Sequence, residues 1–356
     1  MLPAGGIVKP TVYSFPSMSM LLFLSVLMAL FVVSLSGRAR FAPLTPDKTQ
    51  PLRGIWAVLI VAFHLSHIPP ADKALTAVFH WGAPVVSLFF FMSGYGLMQQ
   101  LRRRGQDYLN DFFPRRVGMG ILLPWLLAYA VYLLVKGAGG WSLSAAVTGL
   151  LSAGRTTLPY SWYVFAILWL YSGFYVCGRF LSRRWIGLAL TMWSLVSMLY
   201  AFGAGWERCW YVTTLAFPAG VCYASFEPVL LASFARRRWA YVAAFLLMLS
   251  FAGGLYGLKA EWAYAGVYVF LPLLVMLPFT RLRVERWGAC GAFSWLSGMA
   301  YEIYLCQGTA FFLTRKFLPE RSGAALFIVV AFAVTFALAW GVSRVSRMAT
   351  TVLKKK

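Results

Sequence analysis

Charge is scarce in this sequence, and acid is scarcest. Of 356 residues only 12% are Asp, Glu, Lys or Arg, and only 10 are acidic. Soluble domains carry about 25% charged residues, so an ordinary soluble enzyme is excluded. Histidine occurs three times and cysteine five times. Cys177, Cys209, Cys222, Cys290 and Cys306 form no CxxC pair and lie in or beside apolar runs. They read as small buried hydrophobes, and neither a disulfide framework nor a metal site is expected. Long polar stretches are missing too. No linker, internal repeat or low-complexity tract separates the apolar runs, which leaves no room for an appended soluble domain. What fills the chain instead is hydrophobic: 61% of residues, with a mean hydropathy of +0.72. A disordered chain is excluded by the same numbers.

Lys plus Arg number 32, which sets the net charge at +22. In a soluble protein that excess would suggest nucleic acid. Here the cations sit in short clusters between apolar runs, a pattern that reports membrane topology and a lipid bilayer as partner, with no nucleic acid. A spanning helix needs about 20 predominantly apolar residues. Eleven such runs stand near 17–36, 54–70, 82–100, 117–136, 160–178, 186–202, 209–226, 239–257, 263–279, 292–314 and 323–343. The piece 141–153 is short and rich in Gly, Ser and Ala, and reads as interfacial or re-entrant. The expected fold is therefore all-α, a polytopic transmembrane bundle.

Every second loop is basic. The clusters are Arg38, Arg40 and Lys48; Arg102, Arg103, Arg104, Arg115 and Arg116; Arg179, Arg183 and Arg184; Arg236, Arg237 and Arg238; Arg281, Arg283 and Arg286; and the tail Arg344, Arg347, Lys354, Lys355 and Lys356. The loops between are nearly neutral. The positive-inside rule puts the basic loops in the cytoplasm, with the N-terminus outside and the C-terminus inside. Lys9 is the only cation before the first run, whereas Arg38 and Arg40 follow it. A signal peptide has the reverse asymmetry, so a retained helix is expected. The chain divides into an N-terminal segment with this extra helix, 1–50, a membrane domain, 51–343, and a basic cytoplasmic tail, 344–356.

Titratable groups inside spans are expensive, about 2.5–3.5 kcal/mol on insertion scales, and each needs a reason. Arg53 and His64 are eleven residues apart at the start of the second run. Eleven residues of helix come within about 20° of three full turns and rise about 16 Å, so both side chains share a face. That places Arg53 at the cytoplasmic edge and His64 near mid-membrane. An imidazole there is either a satisfied core histidine or a proton-transfer group, the side chain best suited to that task near neutral pH. His67, one turn on, reads as interfacial packing. Glu302 and Gln307 lie within 292–314; the carboxylate is either a structural hydrogen-bonding group or part of a site. Tyr160, Trp162 and Tyr163 open one span and Trp206, Trp210 and Tyr211 precede another, as an aromatic belt would. The Arg102–Arg104, Arg115 and Arg116 cluster is explained by topology, and equally by a phosphate-bearing ligand, since Arg pairs phosphate bidentately.

The run LRGIWAVLIVAFHL (52–65) resembles the signature of the acyltransferase type 3 family, an Arg, ten residues, then a His, here Arg53 and His64. FFFMSGYGL (89–97), FPRRVGMGILLPWLL (113–127), SWYVFAILWLY (161–171), WYVTTLAFPAGVCYA (210–224) and EIYLCQ (302–307) resemble further family segments in the same order. There are departures. Gln50 replaces an acid, Gln307 stands where the family's terminal segment has His, and Ile167 and Leu168 replace a glutamate pair of some members.

The resemblance implies a bacterial inner-membrane O-acyltransferase. It would move an acyl group, acetyl by first expectation, from cytoplasmic acyl-CoA to a hydroxyl of a cell-surface glycan or its lipid-linked precursor. Its partners would be acyl-CoA, as co-substrate rather than resident cofactor, and a carbohydrate acceptor; oligomeric state is not implied. His64 would be general base or acyl carrier, Arg53 its companion and Glu302 a group orienting the imidazole. Arg102, Arg103, Arg104, Arg115 and Arg116 would bind the donor, and Trp162 and Tyr163 the sugar. Ser93 and Gly94 would serve close helix packing. Two rivals remain at this level: a transporter or flippase for a lipid-linked sugar, with Pro84, Pro124, Pro218, Pro272 and Pro278 to interrupt its helices, and a non-catalytic scaffold of envelope assembly.

Overall fold

Apolar runs of this length can satisfy their backbone in lipid only as helices or closed barrels, and here they form helices. The computed structural model describes residues 17–36, 40–75, 81–137, 142–282, 290–318 and 323–355. Lys9, Arg38, Arg283, Arg286 and Lys356 fall outside these residues. The helices are α1 (Ser17–Ser36), α2 (Pro46–Leu65), α3 (Gly82–Arg104), α4 (Phe112–Lys136), α5 (Leu143–Ala153), α6 (Trp162–Phe180), α7 (Arg183–Gly203), α8 (Ala216–Arg236), α9 (Arg238–Gly257), α10 (Glu261–Phe279), α11 (Cys290–Ser297), α12 (Ala300–Phe317) and α13 (Ala324–Lys355). No strand occurs among the described residues.

Seven of these, α4, α6, α7, α8, α9, α10 and the Ala324–Val352 part of α13, are long and apolar enough to cross a membrane by length and composition. The remaining expected spans are helical as well, but more polar or shorter. α2 carries Asp47, Lys48 and Arg53, α3 ends in Arg102–Arg104, and α12 carries Glu302, Gln307, Arg315 and Lys316. In α1 the described apolar stretch is Met20–Ser36. α2, α3 and α12 are also rich in buried residues. Polarity sits where the neighbour is protein, the arrangement in which a membrane protein tolerates it. The short piece α5 has no buried residue and holds an N-cap, Ser142 accepting from the Ala145 N–H.

Two expected boundaries are corrected. The run 292–314 is two helices, because the chain turns at Gly298 and Met299. Glycine weakens a helix interior, and the Arg347 guanidinium takes the Gly298 carbonyl at 2.7 Å. The second run starts eight residues earlier than its apolar part, at Pro46, with Asp47 in the first turn. Proline suits a first turn, where its missing N–H costs nothing, and an acid there favours the helix dipole.

Small residues let helices touch backbone to backbone, as bundles in lipid do. α3 and α8 notch each other: a Cβ on Gly94 would collide with the Phe217 carbonyl, and one on Gly220 with the Phe91 carbonyl. A Cβ on Gly54 of α2 would strike the Phe293 carbonyl of α11. The extended segment before α2 is tied down by a buried carboxylate. Glu227 of α8 accepts the Leu44 N–H at 3.0 Å and the Gln99 amide at 2.8 Å, and the Tyr95 hydroxyl lies 2.9 Å away.

Candidate active site

α2 carries Arg53 and His64 in one unbroken helix. Because that helix begins early, Arg53 lies two turns inside it and His64 in its last turn. The His64 Nδ1 is 3.0 Å from Oε1 of Gln307, which projects from the middle of α12. The imidazole lies against the Tyr160 ring, centroids 4.0 Å apart. Tyr160 holds a left-handed backbone, φ +64°, which a bulky L-residue adopts only under constraint. Two constraints are visible. The Tyr304 hydroxyl donates to the Tyr160 carbonyl. Gly308 leaves room for the Pro159–Tyr160 turn, where a Cβ would press on the Pro159 ring. His64 nevertheless remains only half-buried.

The imidazole's side-chain partner is thus Gln307, and the expected pairing with Glu302 is not the one formed. Five residues of helix turn about 140° beyond one full turn, which takes Glu302 to another face of α12. Its carboxyl is directed to Ser343 and Arg347 of α13.

Arg53 faces Arg116. Its Nε is buried and has no hydrogen-bond partner among the described residues. Arg116 comes from the first part of α4, Phe112–Leu122, which is wound as a π-helix, a form that recurs at functional sites. The Arg116 guanidinium forms no ion pair with an acid among the described residues. It donates to the Tyr171 hydroxyl at 2.8 Å, lies 5.4 Å from the centre of that ring, and also faces Tyr108 and Tyr163. Though ringed by these side chains, Arg116 is exposed and Arg53 half-buried.

The rest of the arginine cluster is dispersed. Arg102 donates to the Ala224 carbonyl and so joins α3 to α8. Arg103 and Arg104 are exposed at the end of α3, Arg104 beside the Tyr108 ring. Arg115 points outward to Asp111 at 3.3 Å.

Trp162 and Tyr163 turn inward, which corrects the reading of a lipid-facing belt. Tyr163 lies 4.7 Å from the Phe90 ring and 5.4 Å from Tyr304, and Trp162 lies 6.0 Å from Trp210. Trp210 and Tyr211 are themselves buried. Ring contacts run from Trp206 through Trp210, Trp162 and Tyr163 to Tyr304, whose hydroxyl donates to the backbone carbonyl of Tyr160, the residue whose ring lies against the imidazole. Tyr160 and Gln307 were the residues sequence reasoning undervalued. The available signal was the amide itself, a polar group in an apolar mid-helix run that must find a partner.

Among the described residues no group of three or more His, Cys, Asp or Glu is placed to hold a metal ion. Cys177, Cys209, Cys222 and Cys306 are free thiols. The arrangement offers an imidazole anchored at one nitrogen, a guanidinium three turns away on the same helix with the charge of Arg116 nearby, and neighbouring tyrosines. That set can take a proton and hold an anion.

Comparison with curated proteins and with solved structures finds no match. A family model does match: the acyltransferase domain Acyl_transf_3 covers residues 52–344, the larger part of the chain and the part containing Arg53, His64, Arg116, Tyr160 and Gln307. An all-helical chain with apolar spans, carrying this domain from α2 to the middle of α13, belongs to the acyltransferase type 3 family and is a multi-pass membrane acyltransferase.

Proposed function

We propose that the protein resides in a bacterial inner membrane and transfers an acetyl group from cytoplasmic acetyl-CoA to a hydroxyl of a cell-surface glycan or its lipid-linked precursor. In this reading the chain crosses the bilayer eleven times, with the N-terminus outside and the basic ends of α3, α8 and α13 in the cytoplasm. The observation that carries it is Arg53 on the same rod as His64, with Arg116 of α4 close enough for its charge to act on Arg53. Two neighbouring cations repel each other until an anion lies between them, and guanidinium groups suit phosphate oxygens. Arg53 and Arg116 hold the donor's phosphates. Arg102, Arg103, Arg104 and Arg115 form a basic mouth that raises the local donor concentration.

His64 is the general base. The acceptor oxygen attacks the thioester carbonyl as its proton passes to the imidazole. The C–S bond then breaks, and the imidazolium returns the proton to the leaving thiolate, giving the ester and the free thiol. Trp162 and Tyr163 line the acceptor's approach, offering ring faces to the sugar. Glu302 supports the fold beside α13 rather than the imidazole. No resident cofactor is required.

The test is transfer of label from radiolabelled acetyl-CoA to glycan in membranes containing the protein. His64→Ala should accumulate normally and transfer nothing above background. Wild-type transfer by that variant would end the assignment of His64 as base.

A further inference from the structure

Gln307 has no place in the reaction as described, yet it is fully buried and its Oε1 is 3.0 Å from the imidazole that does the chemistry. We propose that Gln307 is a positioning residue: its amide carbonyl accepts the Nδ1–H of His64, fixing the tautomer in which Nε2 carries the lone pair. This deepens the reading of His64 as base and rests on it.

The two imidazole nitrogens are inequivalent, and the hydrogen bond made by one decides the protonation of the other. A carbonyl oxygen accepts only, so it selects the ring form that donates toward it. The backbone carbonyl of Ile60, one turn earlier on α2, also faces the ring and favours a donor. The Tyr160 ring closes on the imidazole, and Tyr160 is itself held by Tyr304 and by the space at Gly308. Tyr304, Gln307 and Gly308 all stand on α12. One helix therefore sets the hydrogen bond to the base and the ring packed against it. The Gln307 Nε2 has no partner among the described residues, so no competing acceptor opposes the orientation that presents Oε1 to the imidazole.

Two readouts on the intact protein in lipid test this. The first is nitrogen-15 spectroscopy of ring-labelled histidine, with the His64→Ala spectrum subtracted for assignment. It should show Nδ1 protonated and Nε2 bare in the resting protein. Gln307→Leu should lose that preference. Gln307→Glu, which keeps an acceptor oxygen, should retain it. The second is kinetic: Gln307→Leu should lower kcat about tenfold to a hundredfold, the usual cost of losing such a supporting partner. KM for acetyl-CoA should stay within about twofold, because the donor cations are untouched. Gln307→Glu should keep more of kcat than Gln307→Leu does. A protonated Nε2 in the resting protein overturns the proposal, and so does an unchanged tautomer with unchanged kcat in Gln307→Leu. Turnover surviving in His64→Ala would instead strike the catalytic reading, while the spectrum alone would still decide for or against the Gln307 pairing.

Discussion

Two polar islands lie inside this apolar bundle, and they are built on opposite terms. Around Glu227 the carboxylate itself is paired: Leu44, Gln99 and Tyr95 all reach it within 3.0 Å, although the Tyr223 hydroxyl beside Tyr95 has no partner among the described residues. Around Arg53, His64 and Gln307 it is partial, with Arg53 Nε and Gln307 Nε2 left without partners. Leaving a buried polar group unsatisfied costs about 1–3 kcal/mol, more when it is charged. A structure retains such groups where a ligand completes them, and a satisfied network elsewhere serves the fold. Glu227 lies on an apolar span, α8, whereas Arg53, His64 and Gln307 lie on the more polar α2 and α12. What separates the two is whether the central group has its partners.

The contrast can be broken by substitutions on either side. The largest effect is expected from His64→Ala, which should lower turnover about 10²–10⁴-fold, the usual contribution of a general base, with normal accumulation in the membrane. Arg116→Ala and Arg53→Ala should come next. Each removes a charge-assisted contact worth about 1.5–3 kcal/mol and should raise KM for acyl-CoA about tenfold to a hundredfold. On the satisfied island, Glu227→Gln should lower thermal stability by about 1–3 kcal/mol, measured by thermal aggregation in detergent, and leave KM unchanged. A change in KM without a loss of stability would show that this island serves the ligand too. Smallest is Arg103→Ala, an exposed cation of the basic mouth. It should weaken donor capture only about twofold to threefold in dilute buffer, and the effect should vanish at high salt as the field is screened.

Much of this architecture is legible in the chain because lipid imposes one rule, a helix wherever an apolar run is long enough. Each of the eleven runs is mostly helical in the structure, and Arg53 and His64 do share one helix. The run 54–70 leaves its helix after Leu65, 209–226 settles into its helix only at Ala216, and 292–314 breaks at Gly298. The failures have identifiable causes. Hydropathy follows apolar content, so it missed the polar first turns of α2, where Pro46 and Asp47 begin the helix by terminus chemistry. It ran through Gly298, because a single glycine scarcely alters a hydropathy window. The π-helical winding of Phe112–Leu122 leaves no hydropathy mark at all. The site was legible as single residues and not as pairs. His64 and Gln307 are 243 positions apart, and helical spacing says nothing about contacts between helices. Glu302 attracted attention because it is charged; Gln307, neutral and five positions on, is the residue the fold turns toward the imidazole.

Gly54 follows Arg53 directly, and the Phe293 backbone fills the space that any larger residue would need. α2 is thereby clamped beside its cation, and sliding or rolling the rod would drive it into α11. The roughly 16 Å rise from Arg53 to His64 then behaves as a ruler of constant length rather than a moving arm. If the donor binds as proposed, one of the wrong reach would set its carbonyl short of the imidazole or beyond it, and selection by molecular length would follow from one missing methyl group.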